Sequence, residues 1–179
     1  MASHVALLRG INVGKAKRVA MADLRALIEG LGYAKARTLL NSGNAVFDAP
    51  GVAAGEAAAR IEHGLVERLG VSSRVVVVTT EELGEIVAEN PLLERATDHA
   101  RFMVGFVVEP GDLRRLDAQA GEDWAPAALA VGSLAAYLWL PGGLIDSPLA
   151  QAVGRALKDR VTLRNWTTTT KLLALARGG

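Results

Sequence analysis

The order of strand-like and helix-like segments constrains this chain most, because one order occurs twice. Residues 4–9 are apolar enough for a strand, and the apolar residues of 21–31 recur at helical spacing. Two strands around a turn at 41–44, a second helix and a strand at 74–79 complete the order β-α-β-β-α-β. The unbroken valines of that last strand indicate burial on both faces. The first 80 residues therefore predict a split βαβ, or ferredoxin-like, unit.

The same order recurs in the second half of the chain. A strand is predicted at 101–109, a helix opened by Pro110, a hairpin at 127–140, a helix after Ser147 and a strand at 161–164. We therefore predict an α+β fold with two ferredoxin-like subdomains in tandem. Their predicted bounds are 1–80 for the first subdomain and 81–179 for the second, which adds a connecting helix and a C-terminal helix.

Capping residues mark three helix starts. Thr79 or Thr80, with Glu82 nearby, suits the start of the connecting helix, because a hydroxyl can accept from a free backbone N–H. Ser147 suits the same role for the helix that follows it. Thr167 is predicted to cap the C-terminal helix, since a run of β-branched threonines is poorly suited to a helix interior.

Two loops of the first subdomain are predicted to lie together. A right-handed crossover makes the first two strands parallel, so the loop after the first strand and the turn after the second occupy the same end of the sheet. Residues 9–17 are then expected beside Ser42-Gly43-Asn44, whose composition suits a turn with positive φ. This adjacency makes the two loops a candidate pocket.

Composition and charge exclude several classes of protein. The chain has 179 residues, half of them apolar, so one sizeable core, or two small subdomains sharing one, is expected without a metal or a disulfide. It contains no cysteine, which excludes thiolate chemistry and fits a reducing cytoplasm. The net charge is +1, with basic residues and no acid in 1–22 and in 160–179. This uneven distribution argues against non-specific coating of DNA, which needs a broadly basic surface.

The sequence predicts no membrane span, no metal site and no cofactor. No apolar run has the length of a signal peptide or approaches the roughly 20 residues of a spanning helix. His4, His63 and His99 show no metal-ligand spacing. The loop after the first strand is neither a Walker A loop nor a dinucleotide fingerprint, because its glycines are wrongly spaced and Ala16 follows Lys15.

The residues with chemical potential fall in three short motifs. The first loop can act as an anion cradle, or its glycines can serve loop geometry alone while its cations are solvated. The hairpin turn can offer a hydroxyl and an amide, or only form the turn. The third motif joins a bidentate anion donor, an amide and an indole at a strand-to-helix junction. The predicted ligand-binding residues are Arg9, Asn12, Gly14, Lys15, Ser42, Gly43, Asn44, Arg164, Asn165, Trp166 and Thr167.

These motifs resemble an uncharacterised bacterial family, domain of unknown function 1697. The motifs that carry the resemblance are Leu8-Arg9-Gly10-Ile11-Asn12-Val13-Gly14, Asn41-Ser42-Gly43-Asn44 and Arg164-Asn165-Trp166. The resemblance covers nearly the whole chain and implies a two-part α+β fold with no established activity. This sequence departs from the family pattern at Lys15, Lys17 and Ala20, where members often have glycine, asparagine and proline.

Three functions stay open at this point. The first is binding of a small anionic ligand, phosphorylated or nucleotide-like, at a basic site between the subdomains, with no catalytic group evident. The second is a module for single-stranded nucleic acid that adds Phe102, Phe106, Tyr137 and Trp139 as a stacking platform, against the alternative that these aromatics are core residues. The third is a structural or partner-binding domain. The sequence does not decide whether the protein is an enzyme or how many copies assemble.

Overall fold

The computed structural model describes residues 1–178 and divides them into two compact units. The first comprises residues 1–83 together with the chain from residue 172 onward, and the second comprises residues 84–171. The sequence predicts a boundary near the connecting helix, with bounds of 1–80 and 81–179. In the structure, the division falls inside the connecting helix, and the end of the C-terminal helix is part of the first unit.

The first unit has the β-α-β-β-α-β order and one sheet. Its elements are β1 (His4–Leu8), α1 (Met21–Gly30), β2 (Ala34–Leu39), β3 (Asn44–Asp48), α2 (Ala54–Leu69) and β4 (Val75–Thr79). The strands lie in the order β2-β3-β1-β4, and every neighbouring pair is antiparallel. This is the ferredoxin-like topology predicted from the sequence.

Strands β1, β3 and β4 of the first sheet are largely buried on both faces, whereas β2 is mostly exposed or half-buried. One face packs against the two helices through a cluster that includes Leu8, Phe47 and Ile61. On the other face Val5 and Leu7 of β1 are also fully buried. All residues of 75–78 are buried, so the prediction from the unbroken valines is confirmed. Burying each such side chain contributes roughly 1.5–3 kcal/mol.

The second unit repeats the topology. Its chain contains β5 (Phe102–Val107), α4 (Asp117–Ala120), β6 (Ala128–Val131), β7 (Ala135–Trp139), α5 (Pro148–Leu157) and β8 (Val161–Asn165). The sheet order is β6-β7-β5-β8, which is equivalent to that of the first unit. Two helices span the boundaries of the units, α3 (Thr80–Glu89) and α6 (Trp166–Ala176). The protein thus contains two ferredoxin-like subdomains in tandem.

The helix predicted after Pro110 is different in the structure. Residues Pro110–Leu116 form a 3₁₀ helix, and only Asp117–Ala120 are α-helical. Asp112 and Glu109 form a capping box that closes a tight first turn, and Arg160 donates to the Asp112 carboxylate at 2.7 Å. These contacts favour the tighter 3₁₀ geometry over an α-helical first turn.

The predicted caps are partly correct. Thr79 caps α3 in a reciprocal capping box, with Glu82 N–H donating to the Thr79 hydroxyl at 3.1 Å. Ser147 caps α5 by accepting from the Ala150 N–H. The prediction for α6 was wrong, because Asn165 rather than Thr167 accepts from the N–H of the third helical residue. Asn165 stands one position before the helix, where its short amide reaches that donor.

No helix within residues 1–178 is long and apolar enough to cross a membrane.

Candidate functional site

The loop between β1 and α1 projects from one end of the first sheet. Residues 13–18 are exposed without interruption, and the Val13 side chain keeps 74% of its surface in solvent. Four residues of the loop have positive φ, namely Gly10, Asn12, Gly14 and Lys17. Glycine adopts the left-handed region at no steric cost, so Gly10 and Gly14 allow the sharp turns of this exposed loop.

Asn12 closes this loop at its base. Its Oδ1 accepts from the Val19 N–H at 2.8 Å, and its Nδ2 donates back to the Val19 carbonyl at 2.8 Å. The Asn12 backbone N–H also donates to the Lys17 carbonyl at 3.0 Å. The side-chain amide therefore forms the pair of hydrogen bonds that a neighbouring backbone would form, and it connects the two ends of the exposed segment. Asn12 was predicted as a ligand contact, and its amide is engaged in supporting the loop.

The hairpin turn between β2 and β3 contacts the same loop. Asn12 Nδ2 donates to the Asn41 carbonyl at 2.6 Å, and the Leu8 N–H donates to the Gly43 carbonyl at 2.8 Å. Gly43 has a φ of 88°, and a Cβ there would stand 2.7 Å from the Leu8 Cβ. Only glycine fits this approach. The adjacency expected from the crossover rule is therefore present in the structure.

The loop holds three cations at its tip. Lys15, Lys17 and Arg18 are exposed, and Arg18 donates to the Gly14 carbonyl within the loop at 3.2 Å. In the part of the chain that the structure describes, none of the three lies within ion-pair distance of a carboxylate. Their charges are therefore available to an incoming anion.

A cleft of about 390 Å³ lies beside the loop, at the start of α1. Its lining includes Arg18, Ala20 and Asp23. Ala20 precedes the helix and offers no side-chain cap, so the first N–H groups of α1 have no side-chain acceptor. These donors and the helix dipole favour a negative group, which Asp23 in the first turn partly supplies. The cleft thus combines a cation, backbone donors and one carboxylate.

The other predicted residues of the first unit take mixed roles. Asn44 is fully buried, and its Nδ2 donates to the Leu39 carbonyl and to the Ser42 hydroxyl. Ser42 is exposed at the turn. Arg9 is exposed at the end of β1, where its backbone carbonyl accepts from the Ser73 hydroxyl at 2.8 Å. Asn44 therefore shapes the turn, and the Ser42 hydroxyl is one of its partners, whereas Arg9 lies at an exposed position.

The predicted residues of the second unit lie at the junction of β8 and α6. Arg164 is only 8% exposed and donates to the Thr162 hydroxyl at 2.8 Å and to the Leu163 carbonyl at 2.9 Å. Burial lowers the pKa of its guanidinium to about 10, so it remains cationic at neutral pH. A buried cation of this kind is costly unless hydrogen bonds satisfy its donors.

Trp166 is also buried at this junction. Its exposed fraction is 7%, and its ring stacks on Phe102 with a centroid separation of 5.1 Å. Asn165 uses its Oδ1 to cap α6, and Thr167 follows as a partly buried residue of the first turn. These contacts give Trp166 and Asn165 clear packing and capping roles. Their predicted contact with a ligand stays a prediction.

The aromatic residues of the second sheet are core residues in this structure. Phe102, Phe106 and Tyr137 are essentially fully buried, and Trp139 is 8% exposed. The Tyr137 hydroxyl donates to the Ile86 carbonyl at 2.6 Å, and its burial raises the pKa of the phenol. These rings therefore present no open stacking surface.

Sequence reasoning missed three contributors to the cleft. Arg18 belongs to the basic run but was not selected as a site residue, and Asp23 and the Asn41 carbonyl were not considered. The position of Asp23 in the first turn of a helix that follows a basic loop is a usable signal. The role of the Asn41 backbone carbonyl cannot be predicted from the sequence, because every residue has a backbone carbonyl.

The fold and the loop define a class: a tandem ferredoxin-like protein with a closed basic loop after the first strand of its first unit. More particularly, the chain belongs to the protein family of unknown function DUF1697, whose model matches residues 1–137. The conserved bacterial protein SP0830 from Streptococcus pneumoniae has a similar structure, with 23% sequence identity, 98% coverage of each chain and a TM-score of 0.77. This likeness concerns the fold. No curated protein matches the sequence significantly.

Proposed function

We propose that the protein binds, in the cytoplasm, a small phosphate-bearing ligand at the end of the first unit where the β1–α1 loop meets the β2–β3 hairpin. The observation that carries this proposal is the set of cations Lys15, Lys17 and Arg18 on a loop whose base is closed by Asn12. Among residues 1–178, none of the three has a carboxylate partner. A surface that keeps cations unpaired in a defined geometry is suited to an anion.

Preorganisation strengthens this argument. The Asn12 hydrogen bonds fix the base of the loop before any ligand arrives, so binding does not have to order the backbone there. The open first turn of α1 adds backbone donors and a dipole contribution of roughly 0.3–1 kcal/mol for a negative group. The preformed loop base and the open helix N-terminus each contribute little. Together with the three cations, they favour binding of a phosphate group over binding of a neutral group.

Asp23 narrows the class of ligand. Its carboxylate lines the cleft beside Arg18, where it repels a second anionic group but accepts from a hydroxyl or an amine. A nucleotide or a sugar phosphate carries both a phosphate and such donors. Inorganic sulfate carries only the charge. We therefore propose a phosphorylated ligand with hydroxyl or amino groups next to the phosphate.

The proposed contacts of the first unit are the side chains of Arg9, Lys15, Lys17, Arg18 and Ser42 and the backbone of Gly14 and Gly43. Asn12 and Asn44 position these elements through the hydrogen bonds they make. The contribution of Arg164, Asn165, Trp166 and Thr167 to ligand binding stays a prediction from the sequence.

Calorimetric titration with nucleotides, sugar phosphates and inorganic phosphate tests the proposal. A ligand at 100 times its Kd also raises the apparent free energy of unfolding by about 2.7 kcal/mol, which a thermal-shift screen detects. Lys17→Gln is expected to weaken binding about fivefold, because one cation near a phosphate contributes about 1 kcal/mol in an exposed site. Lys35→Gln is the matched control, since Lys35 is also an exposed lysine with positive φ but lies at the start of β2.

Three results would contradict the proposal. Binding that Lys17→Gln and Lys35→Gln weaken equally would remove the loop from the site. The absence of any ligand in the screen would favour a structural or partner-binding domain. Affinity that grows with oligonucleotide length and falls steeply with salt would instead favour single-stranded nucleic acid, a second candidate that the open exposure of residues 13–18 allows.

A further inference from the structure

A second pocket lies in the other unit, well separated in sequence from the basic loop. It is formed by the segment before β6 and by the segment between β7 and α5, and its volume is about 240 Å³. Small-molecule pockets usually measure roughly 300–1,000 Å³. The pocket is therefore suited to one or two side chains of a longer partner, and it is small for a whole cofactor.

The wall of the pocket is apolar and rigid. Trp124 lines it together with Pro126, Pro141 and Pro148. The Trp124 indole is fixed, because its Nε1–H donates to the Gln119 carbonyl at 2.8 Å and its ring packs against the apolar core of the second unit, which includes Leu138 and Leu149. Proline rings and a fixed indole lose little conformational entropy when a partner binds. These residues form a ready surface for a flat apolar group.

The rim of the pocket exposes two consecutive apolar side chains. Ile145 lines the pocket and is 85% exposed, the largest exposure of a large hydrophobic residue in the described chain, and its neighbour Leu144 is 45% exposed. Exposed apolar residues that occur singly are ordinary, but a pair beside an apolar pocket marks an interaction surface. The rim thus extends the apolar surface beyond the pocket itself.

The charge around this surface is mainly negative. Asp146 lines the pocket, and the Asp123 carboxylate accepts from the N–H of Ala125, another lining residue, at 3.0 Å. Across residues 1–178 neither carboxylate has a cation within ion-pair distance. One cation also lies near the pocket, because the Arg101 guanidinium donates to the carbonyl of the lining residue Pro141. The Asp98 carboxylate lies 3.7 Å from this guanidinium. A cationic partner complements this rim.

We propose that this pocket binds a basic, proline-containing peptide segment of another protein in the polyproline II conformation. A proline of the peptide packs on Trp124, and an arginine or lysine next to it reaches Asp146. Proline-rich segments dock into aromatic-lined grooves because their extended conformation is already formed and little entropy is lost. The shape, the apolar rim and the unpaired carboxylates all fit this class of partner, and none of them depends on the ligand proposed for the first unit.

Fluorescence anisotropy with labelled synthetic peptides tests the proposal on the full chain. The first peptide repeats Pro-Pro-Arg, the second has glycine for every proline, and the third has glutamate for every arginine. The first is expected to bind at least about tenfold more tightly than the other two, a difference of about 1.4 kcal/mol. The tryptophan emission of the protein should shift with the first peptide, and Trp124→Phe should abolish that shift, because the other two tryptophans, Trp139 and Trp166, are buried.

Variants at the rim locate the binding. Ile145→Ser is expected to weaken the first peptide about fivefold without changing the free energy of unfolding, because the side chain is exposed. Leu93→Ser is the matched control, since Leu93 is 65% exposed in the same unit but does not line the pocket. Asp146→Asn should weaken binding and reduce its salt dependence, and asparagine tolerates the positive φ of this position.

Three outcomes would overturn the proposal. The first is no binding of the Pro-Pro-Arg peptide at millimolar concentration. The second is equal binding of all three peptides. The third is equal affinity of Ile145→Ser and Leu93→Ser, which would place the peptide elsewhere on the surface.

Discussion

Asn12 shows how one side chain can determine the shape of a candidate site. Its amide makes two hydrogen bonds to Val19 and one to Asn41. Asn12→Asp keeps the acceptor but removes both donors, and it places a negative charge beside two carbonyl oxygens. We expect the free energy of unfolding to fall by about 1–3 kcal/mol. Urea unfolding measures this loss, and hydrogen exchange of residues 13–18 should become faster.

Asn41→Ala provides the control for this variant. Only the backbone carbonyl of Asn41 contacts Asn12, so the substitution leaves that hydrogen bond in place. Its unfolding free energy and the exchange of the loop should stay close to those of the original protein. Equal effects of the two substitutions would mean that Asn12 does not close the loop.

Lys17 is held in a conformation that most residues avoid. Its φ of 51° lies in the left-handed region, where the side chain crowds the following carbonyl at a cost of roughly 1–2 kcal/mol for residues other than glycine, asparagine and aspartate. Lys17→Asn is therefore expected to raise the free energy of unfolding by up to about 1 kcal/mol.

Lys15→Asn is the internal comparison for Lys17. Lys15 has the same charge in the same loop, but its φ is not positive, so no strain is relieved there. Chemical denaturation of the two variants separates the conformational effect from the effect of charge. A gain in stability at both positions would assign it to reduced repulsion between the loop cations.

At the scale of elements, the Asp112–Arg160 pair joins the 3₁₀ helix to the segment that precedes β8. Burial alone would raise the pKa of the Asp112 carboxyl, but the hydrogen bonds from the Arg160 side chain and the Glu109 N–H hold it below its ordinary value of 3.8. At pH values between the folded pKa and 3.8, the unfolded chain therefore binds more protons than the folded chain. The stabilisation is full above pH 3.8 and is lost as the pH falls through the folded pKa.

Asp112→Asn tests this linkage. At neutral pH its free energy of unfolding should be about 1–3 kcal/mol lower than that of the original protein, because Asp112 is buried and its hydrogen bonds are charge-assisted. The difference should shrink as the pH falls through the folded pKa of Asp112, since the aspartate then becomes protonated. Asp117→Asn, at an exposed position of α4, should change neither quantity.

Elements whose signal is local were predictable from the sequence, and those that depend on distant contacts were not. The valines of 75–78 and the capping box of Thr79 follow from residue types that are close together. The 3₁₀ helix after Pro110 depends on Arg160, which lies far away in the sequence. Propensity is a weak prior, and tertiary contacts can override it.

The location of the candidate site was predictable from the sequence, but its detailed geometry was not. The crossover rule placed the first loop beside the hairpin, because handedness is a general property of the chain. The closure by Asn12 was not foreseen, since it depends on a left-handed backbone and on which atoms meet across seven residues. Side-chain chemistry thus indicated the location, while the path of the backbone determined which groups face a ligand.

At the scale of the whole molecule, the chain returns to its first unit at the end. Leu172 and Ala176 are fully buried there, and the Ala2 N–H donates to the Ala176 carbonyl. Removing residues 172–179 should therefore destabilise the first unit by more than about 3 kcal/mol, comparable to the loss of a large buried side chain. Urea unfolding and hydrogen exchange of β1 measure the effect, and deletion of the last two residues alone should have little consequence.

The hydrogen bonds of Asn12 separate the base of the loop, which supports the fold, from the exposed residues 13–18, which are available for function. The hydrogen bonds to Val19 close the base of the loop, and residues 13–18 are exposed, so the sheet does not depend on side-chain packing by these residues. Mutation can change the charge, length and chemistry of that segment while the sheet beneath it stays intact. The segment is therefore a natural site for grafting: a foreign peptide inserted between Gly14 and Lys15 would be displayed from a stable anchor, and new specificities can arise there by exchange of a few residues.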